Sequence, residues 1–235
     1  MKFFLLFSST PLPPSIPLKA LTSQGKRLDV ACRMLRACTV GPDGCPSGHH
    51  VAAWFAGDGK LVRSIELHVD GHALDQPAIL ARFRSELVLA RYLAEIVSGI
   101  ARENGTKNED CIHARFLDAG MNAEDSFLEA IRREQVESGT EIILLHENGT
   151  PILDFCRPGM LEWKQVQAHG AAIVIGDHNG FPVHVERTLL RTSDRILCIT
   201  KSKRDEHGVG DAKVIPYLGS HVAAFVQMFS IRGMP

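Results

Sequence analysis

Two short polar segments carry the side chains best suited to chemistry. His146-Glu147-Asn148-Gly149 and Asp177-His178-Asn179-Gly180 each follow an apolar run. His, Asp and Glu serve as general acids, general bases and metal ligands. Neither segment has the HxxxH or HxH spacing that holds a metal rigidly, so no metal is expected here. Asp177 is better placed to cap the turn that follows it through its own side chain. A third segment is Lys26-Arg27-Leu28-Asp29, continuing to Arg33 and Arg36. Asp29 there is a first-turn acid of the kind the helix macrodipole favours, with Arg27 as its surface partner. Lys26, Arg33 and Arg36 offer phosphate contacts, or else form a solvated helix face.

The elements that must position these residues follow from hydrophobic period. Glu141–Leu145, Ala171–Ile175 and Arg195–Ile199 each contain a continuous apolar run ending at a small polar turn. Such runs read as buried strands, and with helices between them they predict a mostly parallel α/β sheet with helices on both faces. Ligands of such sheets bind beyond the carboxyl ends of the strands. The expected pocket is therefore formed by the turns HENG, GDHNG and ITKS. Lys2 to Phe7 reads as a further buried strand in preference to a signal peptide, because its apolar core is short and no small-residue cleavage site follows. Ser8 to Gln24 is expected as a loop, and Leu28 to Thr39 as an amphipathic helix. His49-His50 marks a strand entrance. Val51–Ala56 and Leu61–Val69 around Gly57-Asp58-Gly59 predict a β-hairpin. Gln76-Pro77 opens one long helix to about Ile100, followed by a polar loop from Glu103 to Asp110 and a strand from Ile112 to Phe116. Asn122 is the expected N-cap of the next helix. Pro182 to Leu190 and Tyr217 to Ile231 are further helices, and Lys201 to Asp211 is an exposed loop.

Bulk properties set the class. The chain has 235 residues, 45% hydrophobic and 23% charged, with a formal net charge of -1. These values describe an ordinary globular protein, expected as a single domain over residues 1–235. No global basic field announces nucleic acid, although local basic spots exist, including Arg82, Arg84, Lys203 and Arg204. The six cysteines lack a CxxC pair, and a chain of this size needs no disulfide scaffold, so reduced thiols and a cytoplasmic location are expected. No run is long enough to span a membrane. No GxGxxG or GxxxxGK[ST] follows a strand, which argues against dinucleotide and P-loop chemistry.

Four segments together resemble the archaeal-type tRNA pseudouridine N1-methyltransferases, the TrmY family of the SPOUT class. They are Gly25-Lys26-Arg27-Leu28-Asp29-Val30-Ala31-Cys32-Arg33, Leu145-His146-Glu147-Asn148-Gly149, Ile175-Gly176-Asp177-His178-Asn179-Gly180 and Tyr217-Leu218-Gly219-Ser220-His221. Their order and approximate spacing are similar to the family's over most of the chain. The resemblance implies a SPOUT methyltransferase fold with a C-terminal trefoil knot, a homodimer with each active site at the subunit interface, and S-adenosyl-L-methionine as cofactor. It places the cofactor against Leu145, Gly176, Cys198, Ile199, Thr200, Lys201, Tyr217, Leu218 and Val222. Gly176 there allows close backbone approach. Asp29, oriented by Arg27, becomes the catalytic candidate that accepts or hydrogen-bonds the pseudouridine N1–H. Lys26, Arg33 and Arg36 become candidate RNA contacts. The chain departs from the family in two places. Ile199-Thr200-Lys201 stands where the family has a GP-type turn and is followed by an apparent insertion, and Val222 stands where it has Cys or Ser.

The activity the resemblance implies is methylation of the T-loop pseudouridine of tRNA. A ribosomal-RNA pseudouridine methyltransferase and a non-catalytic RNA- or nucleotide-binding relative are the alternatives.

Overall fold

The computed structural model of the chain describes residues 1–15, 27–41, 43–57, 62–102, 106–152 and 170–198. They form one eight-stranded sheet with helices on both faces. In chain order the elements are β1 (Lys2–Phe7), α1 (Leu28–Thr39), β2 (His50–Phe55), β3 (Ile65–Asp70), the short α2 (Pro77–Leu80) and α3 (Glu86–Arg102). Then come β4 (Thr106–Glu109), β5 (Ile112–Phe116), α4 (Ala123–Ser138), β6 (Glu141–Pro151), β7 (Ala171–Gly176), α5 (Val183–Thr192) and β8 (Arg195–Cys198).

The strand order is β4-β5-β3-β2-β1-β7-β6-β8. The five strands from β2 to β8 are mutually parallel, while β3, β5 and β4 extend the sheet as an antiparallel wing. β1 lies near the middle, between β2 and β7, and from Phe3 to Phe7 it is buried on both faces. Its FFLLF run is what a central parallel strand requires. Phe3, Leu5 and Phe7 face one core with α1 and α3, and Phe4 and Leu6 face a second core with α4 and α5. In the second core Trp54 is fully buried, stacks on Phe4 and donates its indole N–H to Ser126 Oγ at 3.0 Å.

Several expectations hold, including β1, α1, the β2–β3 hairpin, β5, α5 and the capping of α4. Asn122 Oδ1 accepts from the Asp125 N–H at 2.7 Å. Three do not. The long helix from Pro77 is broken, because Ser85 Oγ accepts from the Val88 N–H at 3.3 Å and caps α3 as a separate element. Within the polar loop expected from Glu103 to Asp110, Thr106–Glu109 is an edge strand. Its Thr-Lys-Asn-Glu sequence lacks an apolar period because it pairs on one side only, with β5. The turn expected at His146–Gly149 lies inside β6. The strand shifts register between Leu145 and Thr150 and pairs with β8 on either side of the shift. Gly149 makes this possible, since a Cβ there would stand 2.7 Å from the Leu197 Cα. The third apolar run is a strand as far as Cys198. Lys26, Ile199, Thr200, Lys201, the loop to Asp211 and the helix expected at Tyr217 to Ile231 lie outside the described residues, as does the region of the implied knot.

Candidate functional site

Parallel strands send their carboxyl ends to one edge of the sheet. β1-α1-β2 is a parallel crossover unit, so the N-terminus of α1 returns to the edge where β1 and β2 finish. The same holds for α5, between parallel β7 and β8. This edge therefore collects Ser8 and Ser9 after β1, Arg27 and Asp29 at the start of α1, the His146–Gly149 bulge of β6, Asp177–Gly180 after β7, Glu186 in the first turn of α5, and Cys198 at the end of β8.

Asp177 organises the centre of the edge. It is 7% exposed. One carboxylate oxygen accepts from the Asn179 N–H at 2.8 Å, closing the turn. The other accepts from the Ser9 N–H at 2.9 Å and the Ser9 hydroxyl at 2.7 Å. Asn179 Nδ2 donates back to Ser9 Oγ at 3.0 Å. Asp177 is thus the turn cap that the sequence suggests and, beyond that, a clamp between the β1 and β7 loops. Ser8 and Ser9 escaped the sequence reading. Their only signal was their place directly after a buried strand. His178 presents a buried Nδ1 with no hydrogen-bond partner among the described residues.

His146 is engaged differently. Its side chain is 9% exposed, and Nε2 lies 2.6 Å from a Glu186 carboxylate oxygen. Nδ1 accepts from the Asn148 N–H at 3.2 Å. This network assigns the ring proton to Nε2, donating to Glu186. His146 and Asp177 therefore serve separate partners, and no group of three His, Cys, Asp or Glu side chains among the described residues is arranged to hold a metal.

The expected cofactor residues that are described lie close together in the sheet. Gly176 and Cys198 end β7 and β8, and Leu145 stands in the intervening strand β6 directly before its register shift. Leu145 is partly exposed, and Gly176 and Cys198 are buried. The space beside Gly176 is taken by its own turn: a Cβ there would meet the Gly180 carbonyl at 2.9 Å and the Phe181 ring at 3.2 Å. The glycine is required first by the protein's own backbone.

Asp29 sits in the first turn of α1, 8% exposed. Arg27 grips it with two bonds, Nε to Oδ1 at 3.1 Å and Nη2 to Oδ2 at 3.2 Å. Arg27 adopts a left-handed backbone, φ 65°, to cap the helix and present that fork. The hydrogen bond and charge of Asp29 raise the Arg27 pKa, so the guanidinium stays ionised. Arg33 approaches Asp29 at 3.8 Å and pairs with Glu86 at 3.2 Å. Glu86 was not foreseen. It shows that Arg33 is engaged within the protein before any phosphate arrives. Arg36 has a buried Nε with no hydrogen-bond partner among the described residues. Arg82 is held over the Tyr92 ring at 4.4 Å and pairs with Glu95.

No family model and no curated protein matches the chain. One solved structure is similar in outline. It comes from Porphyromonas gingivalis and is provisionally described as an RNA methyltransferase of the TrmH family. Its TM-score is 0.41 at 13% identity, over 99% of this chain and 60% of that one. The chain thus spans under two thirds of that structure's length, and a likeness at this level decides neither family nor activity. The TrmY resemblance rests on the four sequence motifs.

Proposed function

We propose that the chain is an S-adenosyl-L-methionine-dependent RNA methyltransferase of the SPOUT class, with the N1 of the T-loop pseudouridine in tRNA as its target. The observation that carries this reading is the convergence of three motif segments on one sheet edge. The described part of the first, Arg27–Arg33, starts α1, LHENG forms the β6 bulge and IGDHNG ends β7.

The residues at this edge suit a cofactor made of an adenine, a ribose and a sulfonium. Leu145 supplies an apolar wall, the 176–180 turn supplies main-chain groups, and the buried His178 Nδ1 is a polar atom with no partner among the described residues. Cys198 would close the floor, and Ile199, Thr200, Lys201, Tyr217, Leu218 and Val222 complete the proposed set. When bound, the cofactor supplies an electrophilic methyl group. The chain's own residues must orient the base and accept the N1 proton.

Asp29 is the proposed acceptor. Arg27 occupies one lone pair on each carboxylate oxygen, and a carboxylate has further lone pairs to offer. The fork therefore fixes the direction of the remaining acceptor sites without filling them. Arg36 and Lys26 are the proposed phosphate contacts. In this reading the enzyme works as a homodimer in the cytoplasm.

Calorimetric titration of the purified chain with S-adenosyl-L-methionine tests the cofactor. Mass mapping of tRNA after incubation tests the target. Saturable binding and one added methyl on the T-loop pseudouridine are expected. Absence of cofactor binding by the folded protein would overturn the assignment.

A further inference from the structure

A cavity lies away from the carboxyl edge. It is a cleft of about 540 Å³ between α4 and the start of β1, β2 and the antiparallel wing. That volume falls in the range of small-molecule sites. Two small residues, Ala52 on β2 and Ala130 on α4, are among those that line it. α4 covers β1 and β2 but stops short of β3 and β5. The wing is therefore apolar on its α1/α3 face, through Ile65, Leu67, Val69, Ile112 and Ala114, and polar on the other.

Register places Phe4, Ala52, His68 and His113 in one row across the sheet. An aromatic series runs beside this row. Phe4 stacks on Trp54 with ring centroids 5.7 Å apart, Trp54 meets His68 edge-on at 6.1 Å, and His68 faces His113 at 6.2 Å and 45°. The first two rings are buried core, while the two imidazoles are exposed to the cleft. Both imidazoles thus line the cleft with exposed ring surface.

The charges around them are already matched. Glu66, 7% exposed, is bound by Arg115 at 2.6 Å and by His68 Nε2 at 2.7 Å. Burial pushes its pKa up, but those two partners outweigh it and hold the carboxyl below its usual range. Lys2 binds Glu134 at 2.7 Å, and the rim adds Arg133 and Glu137, of opposite sign. A phosphate would meet Glu134 and Glu137, and a free cation would meet Lys2 and Arg133. A neutral planar ring meets neither penalty.

We propose that this cleft binds a planar nitrogen heterocycle of the nucleobase class, stacked on the His68 ring with the tilted His113 ring against its edge, above the Ala52 floor. The ring comes either from a free nucleoside or from an unpaired RNA nucleotide, and the second source rests on the RNA reading above. Histidine is among the side chains on which unstacked bases settle.

The test uses the whole chain and two sets of probes, the four ribonucleosides and four single-stranded homopentamers. Imidazole NMR shifts and calorimetry report binding. The His68 and His113 ring signals are expected to move on titration. Affinity should fall roughly tenfold in His68→Ala, the size of effect that follows loss of one stacking partner. Ala52→Leu, which fills the floor and leaves the imidazoles in place, should abolish binding with the fold retained by circular dichroism. Response to the nucleosides identifies a free ligand, and response to the pentamers alone identifies RNA. Static imidazole signals with both probe sets, or binding that His68→Ala and Ala52→Leu leave unchanged, would overturn the proposal. S-adenosyl-L-methionine titration of the same variants separates the two readings, because failure of the cofactor reading leaves the imidazole response standing and the reverse also holds.

Discussion

At the scale of single residues, the Arg27–Asp29 fork is the sharpest feature of the carboxyl edge. Its bidentate geometry is stronger and more directional than a single ion pair. If Asp29 accepts the pseudouridine N1–H, Asp29→Asn should bind cofactor normally and lose about a hundredfold in single-turnover methylation, the usual effect of removing one general base. RNA affinity should change little, since a carboxylate attracts no phosphate. Arg27→Ala should lower both the rate and RNA affinity. A full rate in Asp29→Asn would return the residue to a helix-dipole role. Gly176 carries a separate expectation. Gly176→Ala should destabilise the fold by roughly 1–3 kcal/mol in denaturant unfolding, because its new methyl meets the Gly180 backbone, which cannot swing aside as a side chain could. A bulky side chain at this position would therefore report on folding before it reported on any ligand.

At the scale of elements, the Asp177 clamp ties the β1 loop to the β7 turn across two neighbouring strands. Asp177→Ala leaves the Ser9 and Asn179 N–H groups without this acceptor. The loss should be about 1.5–3 kcal/mol, the range for a buried hydrogen bond to a charged group. Asp177→Asn should recover part of it. The junction before β2 is sensitive to pH instead. His49 is half-buried against Phe3, and burial together with the N-terminal amine, His72 and His50 pushes its pKa from the usual 6.5 down to about 4. The unfolded chain takes up that proton at a higher pH than the folded chain does. Stability should therefore be full above pH 6.5 and fall as pH drops toward about 4. Denaturant unfolding of His49→Gln across this window should show a shallower slope than the parent protein, and an unchanged slope would assign the loss to other groups.

At the scale of the whole molecule, the sheet joins two different surfaces. Its parallel half gathers polar loops at the carboxyl edge, while its antiparallel wing exposes a polar face beside α4. The same architecture would allow two ligands to bind without competing, one at each place. The motif resemblance also implies assembly. Sedimentation at micromolar protein is expected to give the mass of two chains, and a mass of one chain would remove the subunit interface from the proposed site.

Much of this architecture was legible in the sequence. Continuous apolar runs such as Phe3–Phe7 and Ala171–Ile175 can be satisfied only by strands buried on both faces. The alternation Ile65, Leu67, Val69 against Glu66, His68, Asp70 marks a strand with one wet face. Asn122 and Pro77 announce helix starts by local chemistry alone. The remainder depended on partners remote in sequence. Thr106–Glu109 has no strand period, and only the free edge of β5 makes it a strand. His146–Gly149 reads as a turn, and only the backbone of Leu197 pressed against Gly149 keeps it within β6. The partners of Asp177, His146 and Arg33, namely Ser9, Glu186 and Glu86, come from other elements that the sheet and its crossovers fold onto the same places. Local sequence determined most of the strands and helices and which polar segments face the carboxyl edge. Only the tertiary structure decided which charges meet there, because a hydrogen bond between residues far apart in the chain leaves no periodicity in either segment.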